Sequence, residues 1–121
     1  MTTVEDWRGF VILRADPVAL SAHPWSEYED ADPEKLKVIQ EAVGGYIEMV
    51  QTSIPGIHMY CNEEGKIQQL PVNPFATKLL SRFTRDVIVG DVIVMRDGKA
   101  GEEAPLTTAD LDRIAKTVGI R

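Results

Sequence analysis

Cysteine, histidine and positive charge are all scarce in this sequence, and each shortage removes a class of function. A single cysteine, Cys61, cannot form an internal disulfide, and one cysteine with two distant histidines, His23 and His58, supplies no zinc ligand set. A reducing compartment, the cytoplasm, is the simplest expectation. No run approaches the roughly 20 apolar residues that cross a bilayer, and Glu5, Asp6, Trp7 and Arg8 do not have the layout of a signal peptide. Neither a membrane partner nor a cofactor is expected. The 13 Lys and Arg are outnumbered by 19 Asp and Glu, giving a formal charge of −6. This is the wrong balance for a nucleic-acid binder, so DNA binding is disfavoured.

What is present describes one globular unit. The 121 residues suit a single domain, and 44% hydrophobic with 26% charged residues argues against disorder. Gly9 to Arg14 (GFVILR) reads as a strand ended by Asp16 and Pro17. Residues 18–31 show no sustained periodicity and read as a loop, anchored by Trp25 and Tyr28 and carrying much of the acidity. Glu27, Glu29, Asp30, Asp32 and Glu34 fall within eight positions. That cluster is either a solvated loop or an acidic surface imitating a phosphate backbone.

Asp32, Pro33 and Glu34 give a capped helix start. Leu36, Ile39 and Val43 form its apolar stripe, and Gly44 with Gly45 ends it. Tyr46 to Gln51, Ile57 to Cys61 and Lys66 to Leu70 read as strands of an antiparallel meander, with Gly65 late in the second turn. Asn73 and Pro74 open a second helix whose inner face is Phe75, Leu79, Leu80 and Phe83. Asp86 to Met95 is a strand interrupted at Gly90 by a bulge or a close approach of backbone. After a flexible segment, Thr107 and Thr108 open a last helix with Leu111, Ile114, Ala115 and Val118 inward, ended by Gly119. The expected fold is therefore α+β, one domain, with a mainly antiparallel sheet of about five strands against about three helices.

Catalytic chemistry is hard to find. Neither histidine has a neighbouring serine, cysteine or carboxylate in a known nucleophile motif; His58 reads as a surface or hydrogen-bonded sheet residue. Cys61 reads as a small buried hydrophobe. The Gly44–Gly45 pair follows a helix instead of preceding one, so it is no phosphate loop. The acidic cluster lacks the alternating ligands and glycine of a calcium loop. The feature best suited to a ligand is the start of the second helix. There, Asn73, Thr77 and Lys78 adjoin free backbone N–H groups, and Lys78, Arg82 and Arg85 share a basic face that an anion could meet.

The motifs IQEAVGGYIEMV, MYCNEEGKIQQLPVN, DVIVGDVIVM and LTTADLDRIAKTVGI, in that order over about Leu36 to Ile120, resemble the domain of unknown function 3846. The resemblance implies a gene of bacteriophages, plasmids and gut or actinobacterial genomes, with a distant kinship to antirestriction proteins. It carries no catalytic residues. Pro74 stands where an arginine is expected in many relatives, which weakens any basic role at that step.

The expected function is that of a small phage or mobile-element accessory protein acting by binding. In one form it serves counter-defence by sequestering a nucleotide-like ligand at Asn73, Thr77, Lys78, Arg82 and Arg85, at the interface of a homo-oligomer. In a second it inhibits a host protein through the acidic stretch with Trp25 and Tyr28 exposed beside it. A third is a small enzyme using His58 with Glu48 or Glu64.

Overall fold

In the computed structural model, which describes residues 6–80 and 85–120, the chain is an α+β domain built on one antiparallel sheet. Its strands are β1 (Arg8–Ala15), β2 (Val18–Pro24), β3 (Ile47–Gln51), β4 (Ile57–Asn62) and β5 (Val92–Asp97), in the order β2-β1-β5-β4-β3. Two short pieces complete it, β6 (Glu103–Ala104) on β5 and β7 (Leu106–Thr107) on β1. The helices are α1 (Ser26–Glu29), α2 (Lys35–Val43), α3 (Pro74–Leu79) and α4 (Thr108–Val118).

Both faces of the sheet are covered, which explains why its central strands are almost unbroken apolar runs. Val11 pairs with Val94 and Leu13 with Val92, and these join Ile57, Met59, Ala76, Leu79, Ile114 and Val118 in the core beneath α3 and α4. Ile12 pairs with Ile93, and these join Phe10, Met95, Tyr28, Ile39 and Val43 beneath α1 and α2. A strand buried on both sides loses the polar half of its alternation.

Several expectations change. Residues 18–31 are not a loop: Val18–Pro24 is an edge strand along the whole of β1, and Ser26–Glu29 is a helical turn. An edge strand is held by its partner's backbone and needs little apolar content of its own. Tyr28 is correspondingly buried, at 8% exposure, and is not an exposed aromatic. Helix α2 starts at Lys35, three residues after Asp32, because a turn from Ala31 O to Glu34 N–H (2.5 Å) occupies the expected first turn. Leu36 points outward, at 54% exposure.

Lys66–Leu70 is not a strand either. Gln68 N–H donates to Glu64 O and Leu70 N–H to Gly65 O, so the segment coils, started by the Asn62 side chain accepting from Glu64 N–H (2.8 Å). Gly65 is needed for space, since a Cβ there would lie 2.8 Å from Val89 Cγ2. The expected Gly90 interruption is observed: Gly90 has φ +78°, a Cβ would meet Leu70 at 2.8 Å, and the regular strand begins only at Val92. The starts of α3 and α4 stand as read, capped by Asn73 and Thr107, and Gly44 and Gly119 close α2 and α4 in the left-handed region. Phe83 lies outside the described residues.

Candidate functional site

Three of the five side chains expected to meet an anion, those of Asn73, Thr77 and Lys78, are engaged within the fold. Asn73 is fully buried: Nδ2 donates to Leu13 O and to Gly90 O, both at 2.8 Å, and Oδ1 accepts from Ala76 N–H at 3.0 Å. Thr77 Oγ1 donates to Asn73 O (2.8 Å) and accepts from Ile88 N–H (3.0 Å). Lys78 Nζ reaches the C-terminal carbonyl of α4 at Val118 (3.3 Å), a position that suits a cation. Arg85 is exposed six residues beyond the end of α3, and Arg82 lies outside the described residues. The polar groups of Asn73, Thr77 and Lys78 thus tie α3 to β1, to Ile88 and Gly90, and to α4.

The structure assembles a different polar cluster. His58, 3% exposed, sits on the α2 face of β4 opposite Met95. Its Nδ1 meets the Asp97 carboxylate at the end of β5, and its Nε2 lies 2.6 Å from Glu103 Oε1 on β6. Tyr60, two residues along the same face, donates its hydroxyl to the other Glu103 oxygen. A carboxylate against each ring nitrogen favours the doubly protonated imidazolium. Burial alone pushes the His58 pKa down, but the hydrogen bonds from Glu103 and Asp97 outweigh it and the pKa is raised. The Tyr60 phenol is pushed up by burial and by Glu103. Since the carboxylates occupy opposite edges of the ring, the three cannot converge on one ion. Among the described residues no group of three His, Cys, Asp or Glu is placed to hold a metal.

Glu103 also lines a cleft. Trp25, Tyr28 and Glu29 of the α1 region and Lys35 of α2 face Gly101, Glu102 and Glu103 across a cavity of about 430 Å³. The Trp25 and Tyr28 rings lie 4.9 Å apart, tilted by 44°, and Trp25 Nε1–H donates to Glu29 Oε2 (3.3 Å). Lys35 Nζ stands 5.6 Å from the centre of the Tyr28 ring, a cation on an aromatic face. Burial and the nearby Glu103 push the Tyr28 phenol up. Of the acidic residues 27–34, read from sequence as a solvated or mimicking stretch, Glu29 thus lines a recess with aromatic walls, opposite Glu102 and Glu103.

A family model for the domain of unknown function DUF3846 matches residues 12–119. The chain belongs to this family. Neither the curated proteins nor the solved structures compared with it gave a match. The DUF3846 match extends well before Leu36, taking in β2 and α1, so the residues of the cleft lie inside the domain.

This DUF3846 domain also holds a hydroxyl–imidazole–carboxylate chain. Ser21 Oγ is 2.9 Å from His23 Nε2, and His23 Nδ1 is 3.2 Å from Glu27 Oε1, beside a cavity of about 400 Å³ lined by Phe10, Val38 and Ala42. The order matches a hydrolytic triad, but the surroundings do not. Ser21 and His23 alternate along a regular edge strand, where amides facing the same way are ~7 Å apart and cannot converge on one oxyanion. His23 is instead stacked on Phe10, with the rings 5.0 Å apart and 6° from parallel. Sequence reading missed both histidine clusters. For His23, the S-x-H-x-x-x-E spacing would have pointed to it had β2 been read as a strand.

Proposed function

We propose that this DUF3846 protein acts by binding a basic partner, taking a lysine or arginine side chain into the cleft between α1 and the 101–103 segment. What carries the reading is the convergence there of the Trp25–Tyr28 pair with Glu29, Glu102 and Glu103. Aromatic faces and carboxylates together favour an organic cation, and Lys35 over Tyr28 is an internal example of the contact. The chain's net charge of −6 adds a negative field that favours the approach of a basic surface. An accessory role in counter-defence, on a phage or other mobile element, would then be exercised on a host protein whose basic surface normally meets phosphate. That is the antirestriction type of inhibition, with a side-chain pocket added to the acidic surface.

The nucleotide-sequestering form has less support, because Asn73, Thr77 and Lys78 are held by internal hydrogen bonds. Calorimetry with a lysine- and arginine-rich peptide tests the reading. Binding should weaken roughly tenfold in the Glu29→Gln/Glu102→Gln variant and fall as salt is raised. Heat from a cyclic or linear nucleotide, with none from the basic peptide, would overturn it.

A further inference from the structure

Among the described residues no strand pairs with the outer edge of β3, and that edge has the hydrogen-bond and charge pattern of a surface that pairs with itself. Glu63 N–H donates to Tyr46 O and Thr52 N–H donates to Ile57 O, so Tyr46, Glu48, Val50 and Thr52 turn their backbone groups towards β4. By alternation, Ile47, Met49 and Gln51 turn theirs outward, away from the sheet. Nothing in Ile47–Gln51 guards this edge in the usual way: it has no proline and no lysine, and its one charge is Glu48.

We infer that the edge is occupied by a second copy of this chain, its β3 antiparallel to the first across a two-fold axis at Met49. In this register Met49 faces Met49 of the second copy and Ile47 faces Gln51. All three pairs then join outward-facing residues, and each exchanges both main-chain bonds. Glu48 falls opposite Val50, so no two like charges meet directly. Neighbouring registers are worse. Centring the axis on Glu48 sets two carboxylates face to face. Centring it on Val50 sets Ile47 against Ser53, whose N–H is already engaged by Leu79 O.

The side chains agree with the backbone. Tyr46 and Met49 are 67% and 52% exposed, large for apolar groups on a sheet edge, and Ile67 is 83% exposed beside it. On the α3 side, Glu48 and Val50 border a cavity of about 530 Å³ with Cys61, Ile67, Leu80 and Val87. The second copy's Glu48 and Val50 would extend its floor. A stable dimer buries about 1,200–2,000 Å² in total. One short strand supplies only part of that, so association in the micromolar range is expected, with Tyr46, Met49 and Ile67 supplying the rest.

The inference shares no residue with the proposed cation cleft. It is tested by sedimentation of the full chain from low-micromolar to near-millimolar concentration, with residue-resolved hydrogen exchange at both ends. The expected result is a monomer that becomes a dimer as concentration rises. The amides of Ile47, Met49 and Gln51 should gain protection with the dimer, while those of Glu48 and Val50 are protected throughout. Met49→Lys, which sets two ammonium groups face to face, should abolish the dimer without changing the circular dichroism spectrum, and Met49→Ile should keep it. A wild-type monomer at every concentration overturns the inference, including the case in which the edge takes an extended peptide of another protein. So does a dimer that survives Met49→Lys or leaves the three outward amides unprotected.

Discussion

Removing the Asn73 side chain is the perturbation that most directly separates a structural from a ligand-binding role at α3. In Asn73→Ala the helix loses its cap, a change of about 1 kcal/mol. The larger cost comes from the carbonyls of Leu13 and Gly90, both of which accept from Nδ2 in a fully buried setting. An acceptor left without a partner costs about 1–3 kcal/mol, reduced where a water can enter the space vacated. With one of the two acceptors relieved in this way the sum is about 3 kcal/mol, which for a domain of this size lowers Tm on the order of 10 °C. Urea denaturation followed by circular dichroism should show a lower midpoint at unchanged slope. Asn73→Asp sharpens the test. It keeps the cap acceptor but turns a carboxylate on the same two carbonyls, so at neutral pH it should destabilise at least as much and recover partly as the acid is protonated. If either variant stays within about 0.5 kcal/mol of wild type, the side chain is not the tie between α3 and the sheet.

Two further outcomes follow from the buried titratable groups. Because the His58 pKa is raised in the folded state, the stability this residue contributes is fully present below its ordinary value near 6.5. It is lost as pH rises through the folded value; thermal unfolding from pH 6 to 9 should show the decline in wild type and a flatter profile in His58→Gln. Cys61 is 6% exposed, and burial first, then Glu48, pushes its thiol up to about 11. Thiol-specific reagents should therefore react slowly with the native chain and quickly in denaturant, and equal rates would contradict the buried placement.

What could be read from the sequence was what is decided locally. The caps at Asn73 and Thr107 act within three residues, on Ala76 and Asp110, and the left-handed ends at Gly44 and Gly119 are as local. Central strands announce themselves because both of their faces are buried. Strand β2 does not, since what makes it a strand is the backbone of β1, and the coil at 66–70 depends on an Asn62 side chain that sequence reading assigned to a turn. The polar cluster was hidden for a stronger reason. Asp97 and Glu103 are 39 and 45 residues from His58 and reach it only because β5 inserts between β1 and β4 and carries β6 with it. The same holds for the cleft, where the 25–35 region meets residues 101–103. Spacing along the chain could show that carboxylates were plentiful, but not which of them converge.

The shared position of Glu103 links His58 to the cleft. Its carboxylate holds the imidazolium through one oxygen and Tyr60 through the other, and it is also part of the cleft wall. While His58 is charged, it offsets the field of Glu103 and Asp97 and repels a cation entering the recess. Two unit charges about 8 Å apart at an effective dielectric constant of about 20–40 repel by about 1–2 kcal/mol, which sets the scale of the effect. Losing the proton should therefore tighten binding of a basic peptide by roughly five- to thirtyfold as pH rises through the folded His58 pKa. Linkage requires the converse, so bound peptide must lower that pKa by a matching amount, visible in the NMR titration of the imidazole carbons. Lysine and arginine side chains keep their charge through pH 6–9, so the peptide contributes little of the change. Affinity that is flat across this range in wild type, or that rises equally in His58→Gln, would show that Glu103 does not couple the two sites.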